Sequence, residues 1–308
     1  MNLLQKAFRR TLPRFVFFAC VITLGASNAT VNGQEPKLTV LSIGWSDSVT
    51  TTTTDTKREE GALQTLKNFI QNETGFKNEI LRQKDWLALA DKMAKGLLHV
   101  GVFQGYEFAW AQEKYADLHG LAIAVSTHRY PTVHIVAKGN SPAKKFADLQ
   151  GQSLALPNSS QHHVDLFVER QSQANGKTTT NFFSQITSLD NVEDALDNVV
   201  DGAVHSAAVD RAALEAYKAR KPGRIKQLKV VAQSQPFPPP VVACYGKNLD
   251  AAACHRLGVG LLGAHRKETG ETVLTLFRLS RFETIPDDFA KVLAQTRKTY
   301  PPPNLEAK

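Results

Sequence analysis

The sequence predicts an α/β protein of two lobes, each lobe a mainly parallel sheet flanked by helices. Short buried-strand patterns alternate with helical periodicities along the chain, which is typical of parallel α/β construction. This alternation starts afresh after Tyr130, and the proline cluster at 236–240 is unsuited to a central strand, so we interpret it as a stiff crossing between lobes. A length of 308 residues suits two lobes of ordinary domain size.

The first half of the chain opens on a buried-strand pattern at 37–43. A threonine-rich turn then precedes a helix that begins at Asp55 or Thr56, carries apolar residues on one face and stops at Gly75. The elements predicted after this helix are a strand near 79–81, a helix over 85–95, a strand at 97–103, a helix over 107–115 and a strand at 121–125.

A similar alternation fills the second half. We predict that a second lobe, residues 128–239, is inserted into a first lobe formed by residues 37–127 plus 240–308. Predicted strands lie at 133–136, 153–156, 204–209 and 229–232, and predicted helices begin at Ser160 or cover 191–200, 211–219, 251–276 and 286–297.

The N-terminus has the pattern of a secretory signal peptide. Four basic residues precede an apolar run at 15–24, and the small residues that follow, Ser27 and Ala29, suit cleavage after Ala29. The run is too short to span a bilayer comfortably, although an uncleaved N-terminal anchor is the alternative. We therefore predict export to the periplasm, with residues 1–29 as the signal peptide.

The charge balance narrows the classes of partner. Removal of the leader lowers the formal net charge from +8 to +4, because four basic residues and no acidic residues are lost. No Lys/Arg stripe with interleaved aromatic residues is present, so nucleic acid is not predicted as a partner. A mildly positive chain can steer an anionic solute towards its surface. Separately, we expect the protein to be a monomer.

Two cysteines, Cys244 and Cys254, remain after cleavage. An isolated pair in an oxidising compartment readily forms a disulfide, which here would join a strand to the start of a helix. The small closed loop would contribute about 2–3 kcal/mol in the chain-entropy model. Two separate buried thiols are the alternative.

The most informative segment is the turn Asn158-Ser-Ser-Gln161, between a buried-strand pattern and a helical one. Free backbone N–H groups and the positive end of the helix dipole meet at such a turn, so an oxyanion can bind there without a formal cation. An ordinary Asn/Ser helix cap explains the same residues. Ligands of open α/β sheets bind beyond the carboxyl ends of strands, a rule that selects this turn, Gln104-Gly-Tyr-Glu107 and Asp210.

The order of these motifs resembles the phosphate/phosphite/phosphonate-binding proteins of ABC transporters, which have the type II periplasmic binding protein fold. The matching features extend from about Leu38 to Ala243, and their order is more specific than any single piece. They are residues 85–102 followed by Gln104-Gly-Tyr106, the tyrosine-led strand 130–137, the approach 146–155 to a serine-rich turn, the segment 200–210 and a second crossover at 234–240.

The resemblance implies a receptor, not an enzyme, that closes on a hinge around a small phosphonate, phosphite or phosphate and presents it to an ABC permease. It implies no cofactor. Ser159 and Ser160 would hold the oxyanion, and Tyr130 would supply a phenol unless it only packs at the hinge. Asp210 would face the cleft unless it only caps its helix. The candidate ligand-binding residues are Tyr106, Tyr130, Asn158, Ser159, Ser160, Gln161, His162 and Asp210.

Three departures from the family pattern bear on the ligand. The turn at 158–161 lacks one hydroxyl and a glycine of the family's Ser-Thr-Ser-Gly, Leu189 stands where a histidine is common, and threonines replace a proline–aromatic loop. His162 or His163 would replace a lost donor, but adjacent helical residues point about 100° apart, so at most one faces the cleft.

Other classes of function are weaker interpretations of the same sequence. An orphan or sensory binding protein of this fold, for a different anion, is the main alternative. A metal receptor is disfavoured because the histidines at 128, 134, 162 and 163 lack compact ligand spacing, so no metal site is predicted. An enzyme with Ser160 or Cys244 as nucleophile is disfavoured because no Gly-x-Ser-x-Gly turn surrounds Ser160.

Overall fold

The structure of the chain is a computed structural model that describes residues 38–49, 56–158 and 162–303, with the backbone alone at 56–59. The predicted signal peptide, residues 1–29, lies outside the described residues. The strands, numbered in chain order, are β1 Val40–Ser46, β2 Lys77–Gln83, β3 Val100–Phe103, β4 Leu118–Val125, β5 Val133–Lys138, β6 Ser153–Pro157, β7 Gln185–Leu189, β8 Ser206–Asp210, β9 Leu228–Gln233, β10 Val241–Tyr245 and β11 Arg281–Glu283. The helices are α1 Thr56–Thr74, α2 Trp86–Ala94, α3 Gly105–Lys114, α4 His162–Ala174, α5 Thr179–Phe182, α6 Val192–Asp201, α7 Arg211–Arg220, α8 Pro222–Ile225, α9 Ala251–Leu262, α10 Glu268–Leu276 and α11 Phe289–Thr299.

Two sheets organise these elements. The first sheet has the strand order β11-β4-β10-β3-β1-β2, and the second has the order β7-β6-β8-β5-β9. Strands β1 to β4 run in one direction while β10 and β11 run against them. In the second sheet only β5 opposes the other four strands. Each sheet is therefore mainly parallel, as the sequence predicts.

Helices cover both faces of the first sheet. One face packs against α1, α9 and α10, where Ile43 and Val100 of the sheet meet Leu257 of α9. The other face packs against α2, α3 and α11, and Leu89 of α2 approaches Gly44 of β1 closely. Parallel strands that are buried on both faces carry nearly continuous apolar runs, which is why their sequence pattern was legible.

Two chain segments cross between the sheets, one from β4 to β5 and one from β9 to β10. They are joined to each other, because the Phe237 N–H donates to the Pro131 carbonyl at 2.9 Å. At the edge of the second sheet, Ser234 N–H donates to the Val133 carbonyl and Val133 N–H donates to the Ser234 hydroxyl, both at 2.9 Å. The proline-rich segment thus lies in the crossing that the sequence predicts.

The largest difference from the predicted elements lies near the C-terminus. The helical pattern predicted over 251–276 is two helices, α9 and α10, separated by a 3-10 turn at Ala264–Arg266. Both helices pack on the same face of the sheet, so the apolar periodicity continued through the break and concealed it. None of the helices in the described ranges has the length and apolar character needed to cross a membrane.

Candidate functional site

A cavity of about 890 Å³ is lined by residues from both sheets. Its polar lining comes mostly from residues at or just after the carboxyl ends of strands β1, β3, β4, β6 and β7. Ligands of α/β sheets bind at this edge because the strand-to-helix loops converge there. The polar lining residues are Ser48, Gln104, Ser126, His128, Asn158, His162, Asp165, Ser188, Asp190 and Arg278.

The first sheet contributes a connected polar wall. Gln104, which precedes α3, donates from Nε2 to the Ser48 carbonyl at 2.9 Å, and the Ser46 and Ser48 hydroxyls lie 3.0 Å apart. Glu107 in the first turn of α3 is buried, and its Oε2 accepts from the Gln104 N–H at 3.3 Å. Burial raises the pKa of Glu107, although hydrogen bonds from the Ser48 and Ser46 side chains act in the opposite direction.

Tyr106 lies in the first turn of α3, between Gly105 and Glu107. Its side chain is buried, and its ring packs edge-on against Trp110 at 5.0 Å between centroids. Burial raises the pKa of the Tyr106 phenol well above its ordinary value, with a further contribution from the neighbouring Glu107. Among the described residues Tyr106 does not line the cavity.

The second sheet contributes the opposite wall through Asn158, at the end of β6, and the first turn of α4. The Asn158 N–H donates to the Leu189 carbonyl at 2.7 Å, which fixes the end of β6 against β7. His162 and Asp165 line the cavity from α4. The surrounding protein displaces water from the Asp165 carboxyl and so raises its pKa. The neighbouring His162 and His163 lower this pKa and offset part of the effect of burial. Ser159, Ser160 and Gln161, the centre of the predicted anion turn, lie outside the described residues.

Asp210 has both carboxylate oxygens engaged. Oδ1 accepts from the Ala212 N–H at 2.7 Å, so Asp210 caps α7. Oδ2 lies 3.0 Å from Nε2 of the buried His163, which donates because an ionised carboxylate only accepts. The His163 ring also packs at 5.3 Å from the ring of Phe237 in the second crossing segment. Among the described residues Asp210 does not line the cavity, and its predicted role as a ligand contact stays a prediction.

Tyr130 lies at the start of the tyrosine-led segment, in the first crossing between the sheets. Its hydroxyl donates to Oδ1 of Asp288 at 2.5 Å. Desolvation and this carboxylate raise the pKa of the Tyr130 phenol, so it stays protonated. In the described part of the chain Tyr130 is outside the cavity lining, while Asn158 and His162 are within it.

Arg278, between α10 and β11, supplies a positive charge to the cavity lining that the sequence analysis did not select. Its backbone has a φ of +54°, in the left-handed region that residues other than glycine seldom occupy. Within the described ranges no ion pair engages its guanidinium. Such conformations cluster at functional sites. Nothing in the local sequence around Arg278 signals this backbone conformation.

Cys244 and Cys254 lie at the other end of β10 from the cavity. Their Sγ atoms are 3.9 Å apart, beyond the roughly 2.05 Å of a disulfide, and both are thiols in this structure. Burial is the main cause of a raised pKa for the Cys244 thiol, and the neighbouring Cys254 raises this pKa further. Ligand atoms of His119, Cys244 and Cys254 all lie within 4.8 Å of one another. The disulfide stays a prediction.

The fold and the two-walled cavity define a two-lobed binding protein of the type II periplasmic class. The chain belongs to the family described as "ABC transporter, phosphonate, periplasmic substrate-binding protein", whose model matches residues 49–289. The predicted family is thereby confirmed. This family comprises binding proteins and not enzymes, and membership implies a small-molecule ligand, a membrane permease and export to the periplasm. No individual curated protein is significantly similar in sequence.

Solved structures of the same fold are distant in sequence. XAC2383 from Xanthomonas citri, bound to chloride, has a TM-score of 0.59 at 17% identity, covering 85% of this chain and 97% of that one. A binding protein component of an ABC phosphonate transporter (PA3383) from Pseudomonas aeruginosa has a TM-score of 0.53 at 14% identity, covering 85% and 87%. PhnD1 from Prochlorococcus marinus, in complex with methylphosphonate, has a TM-score of 0.53 at 13% identity, covering 84% and 97%. At these identities the likeness shows the fold alone.

Proposed function

We propose that the chain, cleaved near Ala29, captures a phosphorus oxyanion in this cavity and delivers it to an ABC permease. The observation that carries the proposal is the polar lining: hydrogen-bonding groups from both sheets converge at the carboxyl ends of their strands. Family membership and the structural likeness to a methylphosphonate-bound protein support the class of ligand.

The head of the ligand is held from both walls. Ser48 and Gln104 contact it from the first sheet, and Asn158 and His162 contact it from the second. The turn containing Ser159 and Ser160, selected from the sequence, completes the second wall. Arg278 supplies the countercharge that a doubly charged phosphonate requires on leaving water. Buried donors left unpaired by a wrong ligand provide the selectivity.

Closure occurs about the two crossing segments. They are the covalent connections between the sheets, and they are hydrogen-bonded to each other through Phe237 and Pro131. A ligand that contacts both walls favours the closed form only by its differential affinity for that form. The monomeric closed form is the species presented to the permease.

Calorimetric titration of residues 30–308, refolded to remove carried ligand, tests this proposal. Phosphate, phosphite, methylphosphonate, aminoethylphosphonate, sulfate and Zn²⁺ are titrated in turn, and we expect one phosphorus oxyanion to bind tightly. The double variant Ser159→Ala/Ser160→Ala should lose that binding, while Ser184→Ala, an exposed serine outside the cavity, should retain it. Arg278→Gln should weaken binding about tenfold, the value of a charge-assisted hydrogen bond. Absence of binding across the phosphorus set would overturn the proposal.

A further inference from the structure

The cavity extends from the polar walls along the first sheet, on the side that α1, α9 and α10 cover. There it forms a space, here called the apolar chamber, whose sheet side is formed by Trp45 and Val102 and whose helix side is formed by Leu66, Phe277 and Leu279. Deeper residues of the same side, such as Ile43 and Leu257, are packed in the core and leave little surface to the cavity. The apolar chamber and the polar walls are parts of one continuous cavity of about 890 Å³.

Core packing makes such a space unusual. Protein interiors are packed as densely as organic crystals, and voids larger than a water molecule are few. Val102 shows the consequence locally. It lies on β3, between β1 and β10, yet its side chain is only half-buried, whereas Val100 on the same strand is 1% exposed. The side of the sheet that faces α9 and α10 is thus not fully covered at Val102.

Water is a poor occupant of the apolar chamber. An ordered water needs about two to four polar partners, and apolar cavities that lack them stay dry and take up apolar molecules. The side chains that line the apolar chamber are all aliphatic or aromatic. An apolar occupant would recover the contacts that the void forgoes.

Trp45 adds an aromatic surface to the apolar chamber. Its side chain lines the cavity and packs against Phe277 at 5.3 Å between ring centroids.

We propose that the ligand of this protein is an amphiphilic oxyanion, with its head between the polar walls and an apolar tail of several carbons in the apolar chamber. The inference rests on the proposed function and extends it to the substrate class. The cavity volume lies in the upper part of the roughly 300–1,000 Å³ found for sites of drug-sized molecules. Methylphosphonate has one carbon and would leave the apolar chamber empty.

The test compares methylphosphonate, butylphosphonate and octylphosphonate by calorimetry on the wild-type chain, below the micellar concentration of the longest. Burying a methylene is worth about a fourfold gain in affinity, so octylphosphonate should bind at least about a hundredfold tighter than methylphosphonate even if only part of the tail is buried. Equal affinities for the two, with methylphosphonate binding tightly, would overturn the inference and leave the proposed function standing. If neither binds, the proposed function falls and the inference falls with it.

A matched pair of variants locates the tail. Val102→Phe adds a ring at a half-buried position that opens into the apolar chamber, whereas Val230→Phe makes the same change at an exposed position of β9 outside the cavity. The readout is the ratio of octylphosphonate to methylphosphonate affinity, which is insensitive to a general loss of folded protein. Val102→Phe should lower this ratio at least tenfold, and Val230→Phe should leave it within twofold. An unchanged ratio in Val102→Phe would show that the tail lies elsewhere and would overturn the inference.

Discussion

The hydroxyl of Tyr130 donates a 2.5 Å hydrogen bond to Oδ1 of Asp288. Tyr130 belongs to a crossing segment between the sheets, and Asp288 directly precedes α11, so the bond ties the hinge region to the C-terminal helix. A phenol has a single proton to donate. While Asp288 holds it, the Tyr130 hydroxyl cannot also donate to a ligand, and donation to a ligand requires this bond to break.

We predict that Tyr130→Phe and Asp288→Ala destabilise the protein by similar amounts, about 0.5–1 kcal/mol each, the usual worth of a hydrogen bond. Asp288 makes no side-chain hydrogen bond to the start of α11, so its replacement removes little else. Urea unfolding of both variants and of the double variant measures the coupling.

Ligand affinity in the same two variants tests the predicted role of Tyr130. Asp288→Ala keeps the Tyr130 hydroxyl, whereas Tyr130→Phe removes it. If this hydroxyl contacts the oxyanion, Tyr130→Phe should lower the ligand affinity and Asp288→Ala should not. Equal affinities in the two variants would instead limit Tyr130 to its bond with Asp288. Purely additive losses of stability in the double variant would contradict the coupling.

Gly105 allows the second crossing segment to pass close to α3. A Cβ atom at this position would lie 2.1 Å from the Pro238 carbonyl oxygen and 2.4 Å from that of Pro239, and neither backbone atom can yield without moving the segment. We therefore predict that Gly105→Ala lowers the free energy of unfolding by about 1–3 kcal/mol, the range for overpacking. Urea unfolding measures this.

Gly61 is the matched control for Gly105→Ala. It lies within α1, and a Cβ atom there would have no atom of the described residues within 4 Å. Gly61→Ala should therefore stabilise the protein by about 0.5–1 kcal/mol, because alanine favours a helix interior. The two glycine-to-alanine substitutions should therefore change the free energy of unfolding in opposite directions. If Gly105→Ala leaves the free energy of unfolding unchanged, the crossing segment is not held against α3.

The fold was more predictable from the sequence than the site, for physical reasons. Buried parallel strands and amphipathic helices leave periodic apolar patterns, so the alternation and the family were both recovered. The site depends on contacts between distant segments. Asp210 caps its helix by accepting from the Ala212 N–H, as the alternative interpretation of the sequence held. Its bond to His163, 47 residues earlier in the chain, has no sequence signal. The position of Arg278 in the cavity lining had no sequence signal either.

Glu107 predicts a pH dependence. Burial raises its folded-state pKa above the ordinary 4.5, so the unfolded chain releases this proton at a lower pH than the folded chain does. The contribution of Glu107 to stability is therefore lost as the pH rises from below 4.5 through the raised pKa, and the loss persists at neutral pH. Glu107→Gln removes this titration, so its stability relative to the wild type should improve over that interval. Urea unfolding at several pH values measures the difference.

Glu113→Gln is the control for that series. Glu113 lies on the same helix, α3, but its side chain is exposed to solvent. The difference between Glu107→Gln and Glu113→Gln isolates the buried carboxyl from the other titrating groups, which both variants retain. If the two variants follow the same pH course, burial of Glu107 does not set its protonation.

The thiols of Cys244 and Cys254, 3.9 Å apart, are predicted to form a disulfide in protein exported to an oxidising compartment. Protein isolated from the periplasm should then resist alkylation until it is reduced. Cys254→Ser should lower the free energy of unfolding by about 2–3 kcal/mol relative to the oxidised wild type. Reduction should bring the wild type to the stability of the variant, because it removes the same constraint on the unfolded chain.

His119 provides the competing outcome for this pair. Its ring nitrogen and the two sulfur atoms lie within 4.8 Å of one another, a set of donors that suits Zn²⁺ when the thiols are reduced. A disulfide consumes two of the three donors. Periplasmic protein that is alkylated without a reductant, and that is stabilised by Zn²⁺ in the wild type but not in His119→Ala, would therefore contradict the disulfide and identify the three side chains as a metal site.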